Sequence, residues 1–150
     1  MAHSENGFTV VEGDSPRLVT VKVGQSTFRI KRFSAKAFGW LLAELNKIES
    51  VDEKGWDGGF AHRPIAGSSV WSNHASGTAI DWNASQHPRG GTQYQGWRTD
   101  QVKAIRQLLA TPQGKCFKWG ADFQHTKDSM HFELVDKADY HRLAEKAGFE

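Results

Sequence analysis

The stretch that most limits how this chain can fold runs from residue 50 to residue 77. It is loop-rich, punctuated by Gly55, Gly58, Gly59, Pro64, Gly67 and Gly77. A long ordered loop inside a small domain is uncommon, and where one occurs it tends to carry function. The regular elements must then lie on either side, and the loop is the first place to look for chemistry.

Upstream, residues 8–33 read as β structure. Val19, Val21 and Val23 alternate with Thr20 and Lys22, Gly24-Gln25-Ser26 reads as a turn, and alternation resumes through Phe28 and Ile30 to Phe33. A hairpin is the simplest account. Ser34 stands where a helix N-cap is expected. Behind it Phe38, Leu41, Leu42, Leu45 and Ile48 follow at spacings of three and four, the mark of a helix with one buried face. Downstream, residues 78–83 are expected to form a strand with Ala79, Asp81 and Asn83 on one face. Residues 84–98 form a second polar loop. Thr99 or Asp100 is expected to cap a helix through Leu109, with Val102, Ile105, Leu108 and Leu109 inward. Residues 130–135 form a strand that puts His131 and Glu133 on one face, and Asp136 caps a last helix stopped near Gly148. The expectation is one α+β domain over residues 1–150: a small antiparallel sheet flanked by about three helices, with an N-terminal β-hairpin.

Composition narrows the partners. The 150 residues include six Trp and nine Phe, enough for a real core. No apolar run approaches the length of a bilayer span, so no membrane partner is expected. Nineteen basic and seventeen acidic residues are interspersed, which argues against a nucleic-acid partner. The opening MAHSENGFTVVEGD has neither a basic n-region nor an apolar h-region, so no signal peptide is expected. Cys116 is the single cysteine, which excludes an intrachain disulfide and Cys-rich zinc sites. It reads as a small buried hydrophobe.

Two of the seven histidines sit in unusual company, in Ser72-Asn73-His74-Ala75-Ser76-Gly77-Thr78-Ala79-Ile80-Asp81 and in Asp128-Ser129-Met130-His131-Phe132-Glu133. Zinc takes N and O donors at ~2.0–2.2 Å, so its ligands must converge. On one straight strand His74 and Asp81 would be roughly 23 Å apart, and on one helix roughly 10 Å along the axis. They converge only if the chain folds back between them, and Gly77 supplies a residue free to make that turn. With His131 from a partner strand, two His and one carboxylate leave a fourth position open, the catalytic rather than the structural arrangement. Asp128, in the loop entering that strand, is a candidate general base and acid, or else a turn-forming Asp. There is no HExxH helix and no GxSxG elbow. His3, His87 and His141 carry no assigned role, and replacing any of them is expected to leave activity intact.

Ser72-x-His74-x-x-Gly77-x-Ala79-x-Asp81 resembles the SxHxxGxAxD motif of the D-Ala-D-Ala carboxypeptidase and L-alanyl-D-glutamate endopeptidase family, the VanY-like M15 peptidases. Phe60-Ala61-His62-Arg63-Pro64 resembles the family's aromatic-x-Arg-Pro segment. Trp119-Gly120-Ala121-Asp122-Phe123 and Asp128-x-x-His131-Phe132-Glu133 resemble its C-terminal part. The likeness covers residues 34–135, and residues 1–33 match nothing in it. The resemblance implies Zn2+ on His74, Asp81 and His131, and an acid/base at Asp128. It also implies that Arg63 helps hold the developing oxyanion, against the alternative of a structural salt bridge. It gives Ser72 a part in orienting the loop or binding substrate, and makes Gly77 and Ala79 small so that backbone packs close to the site. Relatives with His two residues before the last ligand differ from this chain, which has Ser129. The family's carboxypeptidases often carry Glu where this chain has Asp128, so Asp there looks more like the endopeptidases, including many phage endolysins.

The implied partner is a peptidoglycan stem peptide, met by a monomer. Endolysin-type enzymes wait in the host cytoplasm for release to the wall, or travel with the virion. A D-alanyl-D-alanine carboxypeptidase is the alternative. A non-catalytic wall-binding or virion structural module is the reading from another class.

Overall fold

Alternation in the first third of the chain produces the expected hairpin. The computed structural model describes residues 1–52, 54–55 and 57–150. In it β1 (Leu18–Val23) pairs antiparallel with β2 (Ser26–Lys31), Val23 facing Ser26. That leaves a two-residue loop, and Gly24 takes the positive φ such loops require. Phe28 and Ile30 point into the core, whereas Phe33 lies beyond the strand in a single 3-10 turn and is partly exposed. Residues 8–17, expected to join the β region, hold no strand. They belong instead to an N-terminal strap in which Val11 N–H donates to the Ala75 carbonyl and Glu5 N–H to that of Trp71.

Helix α1 (Ala35–Ile48) buries Phe38, Leu41, Leu42 and Leu45, as its stripe requires. Ser34 is its boundary residue, but its hydroxyl donates back to the Lys31 carbonyl (2.7 Å) and caps nothing. The long loop then leads to β3 (Ala79–Asp81), shorter than expected because Asn83 adopts a left-handed conformation (φ 44°) that ends the extended run. Helix α2 (Thr99–Leu109) has its boundary one residue before Thr99 and two before Asp100, the two expected caps. Arg98 is the boundary, and Gln101 Oε1 accepts from its N–H (3.0 Å). Next come β4 (Phe117–Trp119), β5 (His131–Leu134) and α3 (Lys137–Lys146). Asp136 begins α3 without a side-chain cap.

The second sheet has the order β3-β5-β4, antiparallel throughout, so the described residues form an α+β fold with three α-helices and two small antiparallel sheets. One face is core: Ile80 lies opposite Phe132, and Trp119 stacks on Phe132 with ring centroids 5.7 Å apart. On the other face Asp81 lies opposite His131. No helix among the described residues is long and apolar enough to cross a membrane.

Candidate metal centre

The fold-back between His74 and Asp81 is built from local turn chemistry. Ser72 is extended, and its Oγ accepts from His74 N–H (3.1 Å), starting a 3-10 turn over Asn73–Ser76. Gly77 closes that turn at φ 68°, its N–H donating to the His74 carbonyl. Its own carbonyl accepts from Lys31 N–H (2.7 Å), which pins the turn to β2. The chain then enters β3 with Asp81 on the face shared with His131.

The three side chains meet. His74 Nε2 lies 3.3 Å from Asp81 Oδ2, and His131 Nδ1 lies 3.3 Å from Asp81 Oδ1. One ligand atom from each falls within 4.8 Å of the others. Each ring is aimed by its other nitrogen. His74 Nδ1 bonds the Gly59 carbonyl (2.8 Å), and His131 Nε2 bonds Glu133 Oε1 (2.7 Å). Asp81 Oδ1 is buried and has no aligned hydrogen bond. Burial alone would raise the Asp81 carboxyl, but the His74 charge and the close approach of both rings overcome it and hold it far below the usual carboxylate range. Burial would likewise lower His131, yet Asp81 and Glu133 push it up to about 10.

These residues line a cleft of about 590 Å³, together with Asp128, Arg63, Ser72 and Glu5. Asp128 is raised above the ordinary carboxylate range, first by burial and then by the Asp81 charge, against His131 and Arg89. Its Oδ1 is a second buried oxygen without a partner, and Arg89 Nε stands 4.0 Å from its Oδ2. Arg63 is exposed at the rim, and among the described residues it joins no ion pair.

Residues 66–134 match the family model described as D-alanyl-D-alanine carboxypeptidase. Over those residues the chain is similar to the M15 peptidases, a family of metallopeptidases. No curated protein and no solved structure matches the chain. The matched segment contains Ser72, His74, Asp81, Asp128 and His131, and stops short of Arg63 and the strap.

The donor set fits the metal an M15 peptidase takes. The two rings present one nitrogen each, the carboxylate between them stays ionised, and its buried Oδ1 lacks a partner that a cation would supply. Three further cleft residues had no assigned role in the sequence. Glu133 was placed on the His131 face without a partner, Glu5 comes from the unmatched N-terminal segment, and Arg89 comes from the second polar loop. His87 does not line this cleft. It is fully buried, bonded to Glu49 Oε1 (2.8 Å) and the Gln95 carbonyl (2.9 Å), and stacked on Trp97. It supports the fold, so its removal is no neutral control.

Proposed function

We propose that this chain is a zinc-dependent peptidase of peptidoglycan stem peptides that cuts the L-alanyl-D-glutamate bond. The supporting observation is the convergence of three metal donors in one cleft with Asp128, a half-buried carboxylate of weakened acidity. His74, Asp81 and His131 would hold the ion, which when bound supplies Lewis-acid polarisation of the scissile carbonyl. Asp128 takes the proton of the attacking water and returns it to the departing amine, a double duty that a raised pKa suits. Arg63 lends a fixed cation to the oxygen on which charge develops. Ser72 keeps the His74 turn closed through its bond to the His74 N–H.

Asp rather than Glu at position 128 supports the endopeptidase reading and, with it, wall lysis of the endolysin type by a phage or prophage protein held in the host cytoplasm until release. The description of the matched family favours a second reading, a D-alanyl-D-alanine carboxypeptidase with the same residues in the same roles. Digestion of purified peptidoglycan, with the products read by mass spectrometry, separates the two. New D-glutamate amino termini are expected, and free D-alanine would establish the second reading. A folded, zinc-loaded protein that binds wall and releases nothing would overturn both in favour of a non-catalytic module.

A further inference from the structure

The matched segment does not line its cleft alone, since Glu5 and Arg63 come from outside it. His131 faces Asp81 with one ring nitrogen and Glu133 with the other, and both His131 and Glu133 are buried. A ring that ligates a metal through Nδ1 must carry its proton on Nε2, and an acceptor at Nε2 settles both that tautomer and the ring's rotation. For His74 a backbone carbonyl does this. For His131 it is a carboxylate at 3% exposure, which must itself be held in place and compensated. Ala79, directly across the strand pair from Glu133, is small enough to leave it room.

The N-terminal strap, outside the matched segment, reaches the surroundings of Glu133. Asn73 lines the same cleft as Glu133. An amide has one accepting and one donating end, and Asn73 Oδ1 is already engaged by the Asn6 N–H (2.9 Å), so the donating end is the one free for Glu133. Asn6 is saturated in turn. Its Nδ2 donates to Thr78 Oγ1 (2.9 Å) and the Leu134 carbonyl (3.2 Å), its Oδ1 accepts from Ser4 Oγ (2.8 Å), and its carbonyl accepts from Lys137 N–H (2.8 Å). The strap is thereby joined to the His74 turn, to the residue that leads into β3, to β5 and to α3.

We propose that Glu133 is the positioning residue of His131, and that the N-terminal strap holds Glu133 in place through Asn6 and Asn73. The inference rests on His131 being a metal ligand, as the function above requires. Its test is zinc affinity, read by competition against a chromophoric chelator on the full chain, with folding checked by circular dichroism. Glu133→Gln puts an amide against the Asn73 amide, so one of the Glu133 bonds must break. The expected loss of zinc affinity is ~10–100-fold, the usual size for a partner of a metal-bound His. Asn73→Asp sets two carboxylates together and should also lose affinity. The double variant Glu133→Gln/Asn73→Asp restores donor against acceptor and should recover much of the loss. Asn6→Ala should weaken zinc in the same direction, whereas exposed His3→Ala should not. Wild-type affinity in Glu133→Gln would overturn the positioning role, and a double variant no better than the singles would overturn the relay through Asn73. A wild type that binds no zinc at all would instead sink the metal reading beneath it.

Discussion

Replacing Gly77 by Ala tests whether the fold-back that joins His74 to Asp81 depends on close packing as well as on a left-handed residue. Gly77 sits at φ 68° and Gly67 at φ 76°, so Gly→Ala carries a similar left-handed cost at both, ~1–2 kcal/mol. At each site about 0.4–1 kcal/mol is offset by the stiffer unfolded chain. The positions differ in their surroundings. A Cβ on Gly67 meets nothing within 4 Å, whereas one on Gly77 lies 2.8 Å from Lys31 N and 2.8 Å from Leu18 Cδ2. Backbone must therefore move at Gly77, which costs ~1–3 kcal/mol as overpacking. The movement also threatens the Lys31 N–H bond to the Gly77 carbonyl, worth ~0.5–1.5 kcal/mol. Gly77→Ala should thus be less stable than Gly67→Ala by about 1.5–4.5 kcal/mol, a large share of the 5–15 kcal/mol that holds a typical domain together. Urea denaturation of the metal-free proteins, followed by tryptophan fluorescence at unchanged m, measures the difference. Equal midpoints for the two variants would refute the packing argument and leave Gly77 a turn residue like any other.

Asp128→Asn should keep zinc and fold while hydrolysis falls ~10²–10⁴-fold; a variant that turns over at the wild-type rate would remove Asp128 from the mechanism. Because His131 in the metal-free protein is pushed up to about 10, it is protonated at pH 7, and zinc must displace that proton from Nδ1. Calorimetric titration in buffers of different ionisation enthalpy should report release of about one proton per zinc, and none would contradict the assigned ligand. The Cys116 thiol is pushed up to about 11, chiefly by burial, so at pH 8 a disulfide reagent should modify it only after denaturation. His87→Ala should take away one of the two hydrogen bonds at Glu49 Oε1, leaving the one from Asn83, together with the stack on Trp97, and lower stability by ~1–3 kcal/mol, with zinc content unchanged; lost zinc at full stability would put His87 in the site.

What the sequence determines by itself is whatever depends on near neighbours. The α1 stripe is legible because Phe38, Leu41, Leu42 and Leu45 recur at the helical period, and all four are buried. The hairpin is legible because alternation and a Gly-containing turn lie within fourteen residues. The His74–Asp81 fold-back is legible because turn, small residues and donors share ten consecutive positions. Strand β4 is not: three residues are too few for a period to register, and Phe117–Trp119 becomes a strand only because β5 presents an unpaired edge. The helix caps mislead because Ser34 and Asp136 have the right chemistry in the right place, yet the Ser34 hydroxyl turns to a nearer carbonyl. Only the tertiary structure brings Asn6 to Asn73, 67 residues away, and Glu49 to His87, 38 away. The physical reason is that a buried polar group needs a partner somewhere, but which one it finds depends on where distant segments of backbone come to rest. Period and turn chemistry are written locally; the satisfaction of Glu133, and with it the aim of His131, is decided by the whole fold.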